Sequence, residues 1–151
     1  MTTKNEFAIL ALTKERKGET HMSTRSIIGF INGGFYYSIY CHHDGYLSHN
    51  GRILLECYTD FDKVENMVNG GDMSSLGETI DSSTYYARDR GESSENNCTF
   101  ICNSDEELKS WFNHCGIEYI YIFVDGIGWY YSKDAEKYTL LTQEEIEKEN
   151  Y

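Results

Sequence analysis

Three arginines stand beside residues that could make a receptor with them. Arg25 lies in Ser23-Thr24-Arg25-Ser26, and Arg88 and Arg90 follow two tyrosines in Tyr85-Tyr86-Ala87-Arg88-Asp89-Arg90. A guanidinium is a planar fork of donors matched to phosphate or carboxylate, and a tyrosine ring offers a stacking face. With the hydroxyls of Ser23, Thr24 and Ser26, these groups would hold one small anionic ligand, such as a nucleotide. The same residues allow a structural alternative, in which Arg88 and Arg90 pair with Asp89, Glu92 or Asp44 and organise a loop.

His42-His43-Asp44 is the second constellation. Imidazole titrates near neutrality and a carboxylate can orient it. In extended backbone His42 and Asp44 face the same side, so the pair could serve as a general base. The structural alternative is a histidine packed at a strand end, with Asp44-Gly45 making a turn. The chain has no matching nucleophile motif, no H-E-x-x-H and no phosphate-binding glycine loop. Cys98 and Cys102 lack a second pair at zinc-site spacing. The expectation is binding without turnover, with no cofactor and no metal. The expected ligand-binding residues are Ser23, Thr24, Arg25, His42, Asp44, Tyr86, Arg88 and Arg90. A hydrolase using His42 and Asp44 is the runner-up.

Charge narrows the partners. Against 13 Lys plus Arg stand 25 Asp plus Glu, a net charge of −12 over 151 residues. Such a chain repels phosphate backbones and anionic bilayers at long range, so direct nucleic-acid or membrane binding is not expected. A small anionic molecule or a host protein is. Carboxylates crowd the C-terminal region (Glu136, Glu144, Glu145, Glu147, Glu149) and the middle (Asp60, Asp62, Glu65, Asp72). They would suit an acidic DNA mimic, and they equally suit solvated helix faces. The five cysteines, odd in number, fit a reducing cytoplasm. No apolar run approaches the roughly 18 residues that span a bilayer.

The elements that must position these groups read as follows. Ser26–Ile31 and Phe35–Cys41 are apolar strands around Asn32-Gly33-Gly34, a strong hairpin signal. Leu47–Tyr58 reads as a helix with Ile53, Leu54 and Cys57 on one side. Thr59 or Asp60 caps a second helix, ended by Gly70-Gly71. Residues 81–97 are polar and poorly periodic, which marks a functional or disordered segment. Ser104 with Glu107 makes a capping box for a helix to Cys115. Ile117–Val124, a turn at Asp125-Gly126, and Trp129–Ser132 form a second hairpin; a short strand and an acidic helix end the chain. The expected fold is α+β: a single domain with an antiparallel sheet built from two hairpins and about three to four helices packed on one face. Its many tyrosines would also suit a homo-oligomer interface.

Several motifs carry a resemblance. Ser23-Thr24-Arg25-Ser26-Ile27-Ile28-Gly29, Tyr40-Cys41-His42-His43-Asp44-Gly45-Tyr46 and Arg88-Asp89-Arg90-Gly91-Glu92 resemble those of small uncharacterised phage and prophage accessory proteins. Gly51–Leu55 and Gly71–Leu76 extend the match, which covers most of Met22 to about Trp129. His43 departs from the pattern, where a Trp is expected. The resemblance implies a phage accessory context and no catalytic residue, and the expected role is interference with a host antiviral defence. It also agrees with a start at Met22, since Lys17-Gly18-Glu19 can be encoded by a ribosome-binding purine run. Residues 1–21 are then expected to be an upstream extension, and residues 22–151 the domain.

Overall fold

The computed structural model describes residues 23–149. The expected extension and the start at Met22 lie outside the described residues. In chain order the elements are β1 (Ser26–Asn32), β2 (Phe35–Cys41), a π-helical turn (Leu47–Gly51) running into α1 (Arg52–Cys57), α2 (Phe61–Asn69), β3 (Met73–Ser75), β4 (Thr84–Tyr85) and α3 (Tyr86–Arg90). Then come β5 (Phe100–Cys102), α4 (Asp105–His114), β6 (Tyr119–Val124), β7 (Gly128–Ser132), β8 (Thr139–Leu140) and α5 (Gln143–Glu149). The fold is mixed α+β, and the described residues form one open sheet of 8 strands.

Both expected hairpins are present. β1 pairs with β2 from Asn32↔Phe35 to Ser26↔Cys41, and β6 pairs with β7 from Val124↔Gly128 to Ile120↔Ser132. The sheet that joins them differs from the expectation of an antiparallel one. β1 pairs with β6 in parallel, from Ser26↔Tyr119 to Phe30↔Phe123, and β3 joins β2 in parallel at Cys41↔Met73. β5 takes the remaining edge of β2, antiparallel, at Tyr36–Ser38. Parallel neighbours need a long crossover, and here everything from β2 to α4 lies within it.

The helices cover both faces of the sheet, not one. Alternate residues of a strand point to opposite faces. Ile28 and Phe30 join Ile39, Tyr121 and Phe123 in a core closed by Leu54 of α1, Val64 and Val68 of α2, and Ile146 of α5. Ile27 joins Ile120 and Ile122 on the other face, under Leu108, Trp111 and Phe112 of α4. Strand β1 is therefore buried on both sides, which is why its sequence is a continuous apolar run rather than an alternation. Among the described residues no helix is long and apolar enough to cross a membrane.

Local chemistry sets the helix ends. The Asp60 carboxylate accepts from Lys63 N at 2.9 Å, and Ser104 Oγ from Glu107 N at 3.1 Å. Gly70 is still right-handed at the end of α2, and Gly71 makes the left-handed turn at φ +88°. A Cβ on Gly71 would sit 2.1 Å from the Asn97 carbonyl oxygen, whereas Gly91, at φ +68°, has nothing within 4 Å. Gly91→Ala should therefore cost about 1–2 kcal/mol of backbone strain alone. Gly71→Ala adds a clash with backbone and should cost clearly more, by roughly 2 kcal/mol or beyond. Urea denaturation midpoints of the two variants check the ordering; equal losses would contradict the close approach.

Candidate functional site

Because β1 and β2 run antiparallel with Ser26 opposite Cys41, the residues entering β1 and leaving β2 meet at one end of the sheet. Gly45 N donates to the Thr24 carbonyl at 2.8 Å. β3 brings Ser74 alongside: His42 N donates to Met73 O at 3.1 Å and His43 N to Ser74 O at 2.9 Å. On this frame Ser23 Oγ lies 2.8 Å from His43 Nδ1, and Tyr40 OH lies 2.6 Å from His42 Nδ1. The two imidazoles pack edge to face, 4.6 Å apart.

The centre of this end is a buried polar knot. Asn50, from the π-helical turn, is fully buried. Its amide faces Ser26 Oγ at 3.3 Å, Cys41 Sγ at 3.5 Å and the His43 carbonyl at 3.4 Å. Tyr121 OH reaches across from β6 to the Gly45 carbonyl at 2.6 Å. Burial pushes the Cys41 thiol up to about 12, an effect that the Asn50 amide only partly offsets. At neutral pH Cys41 is a protonated packing residue and no nucleophile.

The expected site residues divide. Ser23 and His42 line this end through the contacts above. Thr24 contributes its carbonyl. Arg25 is buried, 1% exposed, and its Nη1 donates to the Ser23 carbonyl at 3.1 Å. Asp44 does not share a side with His42 as extended backbone would have it. It takes φ +58°, ending the strand at Cys41, and its carboxylate accepts from Tyr46 OH at 3.2 Å. Among the described residues no hydrogen bond joins Asp44 to either histidine, so the general-base pair is not assembled.

Arg88 is consumed by its own loop. Nε and Nη2 grip the Asp89 carboxylate at 2.8 and 2.7 Å, Nη1 donates to Ile80 O at 3.0 Å and Nη2 to Ser83 O at 2.7 Å. The guanidinium also lies 4.8 Å from the centre of the Tyr85 ring. Its hydrogen bonds hold the exposed Asp89 carboxyl below the usual carboxylate range. Arg90 is exposed and rests 5.2 Å from the centre of the Tyr86 ring. Among the described residues no acceptor takes a hydrogen bond from Arg90. Burial pushes the Tyr86 phenol up to about 12, against the opposing effects of the Ser74 hydroxyl and the Arg90 guanidinium. Arg90, Tyr86, Ser74, His43 and Ser23 thus form a contiguous series, from which Arg25 and Arg88 are withdrawn.

Asn50, Tyr40, Ser74 and Tyr121 were not expected at this site. Asn50 was findable: it precedes Ile53, Leu54 and Cys57 at helical spacing, so it extends their buried face with a polar group that must be paired. Nothing local marks Ser74 or Tyr121, because strand pairing delivers them. Among the described residues no three His, Cys, Asp or Glu side chains are grouped to hold a metal ion. Comparison of the chain with family models, with curated proteins and with solved structures finds no match.

The raised thiol and phenol give an alkaline prediction. Unfolded, Cys41 would ionise near 9 and Tyr86 near 10. Folded, both stay protonated to about 12. A folded value above the unfolded one gives stability that is complete below the unfolded value and is lost as pH rises through the folded one. Native protein titrated upward should show phenolate absorbance near 295 nm lagging behind free tyrosine, then rising together with loss of circular dichroism. Smooth ionisation near pH 10 without unfolding would contradict the burial.

Proposed function

We propose that the protein acts by binding rather than turnover, and that it takes up a small anionic molecule, such as a nucleotide, at the end of the sheet where Ser23, His43, Tyr86 and Arg90 follow one another. The observation that carries this proposal is Arg90. Its guanidinium is exposed, backed by the Tyr86 ring, and engages no carboxylate among the described residues of a chain with net charge −12. A guanidinium on an aromatic face is suited to a phosphate beside a stacked base. The overall negative charge does not prevent this, because screening over about 8–10 Å leaves the nearest charges in control. His43 and Ser23 add polar groups that a phosphate or ribose could meet.

Turnover has less support. Asp44 is turned to Tyr46, and Cys41 is protonated at neutral pH. The resemblance of the motifs supplies the setting of the proposal: a phage accessory protein, working in the cytoplasm of its host, that blunts an antiviral process by sequestering such a molecule.

Titration calorimetry against nucleoside mono-, di- and cyclic phosphates tests the idea. The expected result is stoichiometric, reversible uptake of one class, with the ligand recovered unchanged. Arg90→Ala should weaken it at least tenfold, about 1.4 kcal/mol, while Lys137→Ala, a charge loss elsewhere, leaves it intact. Absence of uptake across the panel overturns the proposal. So does conversion of the ligand that His42→Ala abolishes, which is the hydrolase outcome, or a salt-labile complex with a DNA-binding protein, which is the mimicry outcome.

A further inference from the structure

α5 helps to close the first core. It spans Gln143–Glu149, and Ile146 is its buried residue. A helix this short is not stable alone in water, so it stays helical only while docked. Its docking is largely polar. Tyr131 OH donates to Glu145 at 2.6 Å, while Lys148, 3.1 Å from the same carboxylate, pairs with it within the helix. Glu149 carries three contacts at once: one oxygen accepts from Tyr119 OH and lies 3.6 Å from Lys133 Nζ, and the other accepts from Leu47 N at 2.8 Å.

The last contact reaches beyond the helix. Leu47 opens the π-helical turn, whose other amides are held at Asn50 N→Asp44 O, 3.1 Å, and Gly51 N→Tyr46 O, 3.3 Å. That turn carries Asn50, and the Asn50 amide holds Ser26, Cys41 and the His43 carbonyl together. π-Helical turns are rare and collect at functional sites. One carboxylate therefore connects the C-terminal helix to the backbone that presents the two histidines.

We infer that α5 is a releasable clasp: through Glu149 it fastens the π-helical turn, and its detachment loosens the Asn50 knot and the His42–His43 segment while the sheet stays folded. This goes beyond the binding proposal and stands without it, because it concerns how the segment is held and not what the segment holds. The energetic ordering follows from the contacts. The sheet is held by two buried cores, whereas among the described residues α5 has one buried side chain, a few hydrogen bonds and one partly exposed ion pair to the rest of the chain, worth little. The region with least buried apolar contact opens first.

Native-state hydrogen exchange on the full chain tests this. Glu149→Ala should lower protection at least tenfold in α5 and at Leu47, Asn50, Gly51 and His43, with the centres of β1 and β6 unchanged. Glu149→Gln keeps an oxygen that can accept from Leu47 N and should retain most of that protection. Glu147→Ala, whose side chain among the described residues hydrogen-bonds only Gln143, at 3.3 Å, should change none of it. Loss of protection in α5 with the π-helical turn still protected would overturn the clasp. If Glu149→Ala does not fold, the unaltered protein decides in low urea. The α5 and turn amides should then exchange through one shared opening below global unfolding; separate openings overturn it.

Discussion

The parallel pairing of β1 with β6 is the constraint on which the rest of the molecule depends. A strand flanked on both edges, with apolar side chains on both faces, must be covered from both sides. The chain between β1 and β6 meets that demand. It supplies α1 and α2 to one face, α4 to the other, and β3, β4 and β5 to extend the sheet past β2. The second hairpin then returns β7 and β8 on the far side of β6, and α5 closes the first core.

Once β1 is central, the polar groups at its entry are forced into the interior, and the sequence must provide for them. Ser26 and Arg25 are both buried there. Their surroundings explain residues that look unrelated along the chain: an asparagine in a π-helical turn, a tyrosine in β6 and a serine in β3 all converge on the segment Cys41–Gly45. A buried amide or carbonyl left unpaired costs about 1–3 kcal/mol, so such a knot is complete or it is costly. The hydrogen bonds of Asn50 and Tyr121 fix the Cys41–Gly45 backbone more tightly than an apolar core would, because hydrogen bonds carry direction.

What could be read from the residues was whatever is local. The two hairpins, the caps at Asp60 and Ser104, the stop at Gly70-Gly71 and the helical face Ile53, Leu54, Cys57 are short-range patterns with physical causes, and each is present. The parallel pairing has no local signature. The strands β3 and β4, of three and two residues, are too short for alternation to show. For the candidate site, Ser23, His42, Tyr86 and Arg90 were identifiable by type, whereas the burial of Arg25 was not. A charged residue before a strand reads as exposed unless the strand is known to be central.

The fates of Arg88 and Arg90 turn on a single local choice of backbone. Two residues apart on an extended chain, they would share a face and could grip one anion together. Residues 86–90 are instead helical, and on a helix positions i and i+2 lie on opposite sides. One guanidinium, still partly exposed, is held by the carbonyls of Ile80 and Ser83 and the Asp89 carboxylate; the other lies over Tyr86. Arg88 therefore builds the loop that presents Arg90. With its own charge neutralised by Asp89, Arg88 adds little field at the outer face, so any anion met there is met by one arginine on one aromatic ring. For the binding proposed above, that geometry would suit a ligand with a single compact charge next to a flat group better than one whose charge is spread along a backbone.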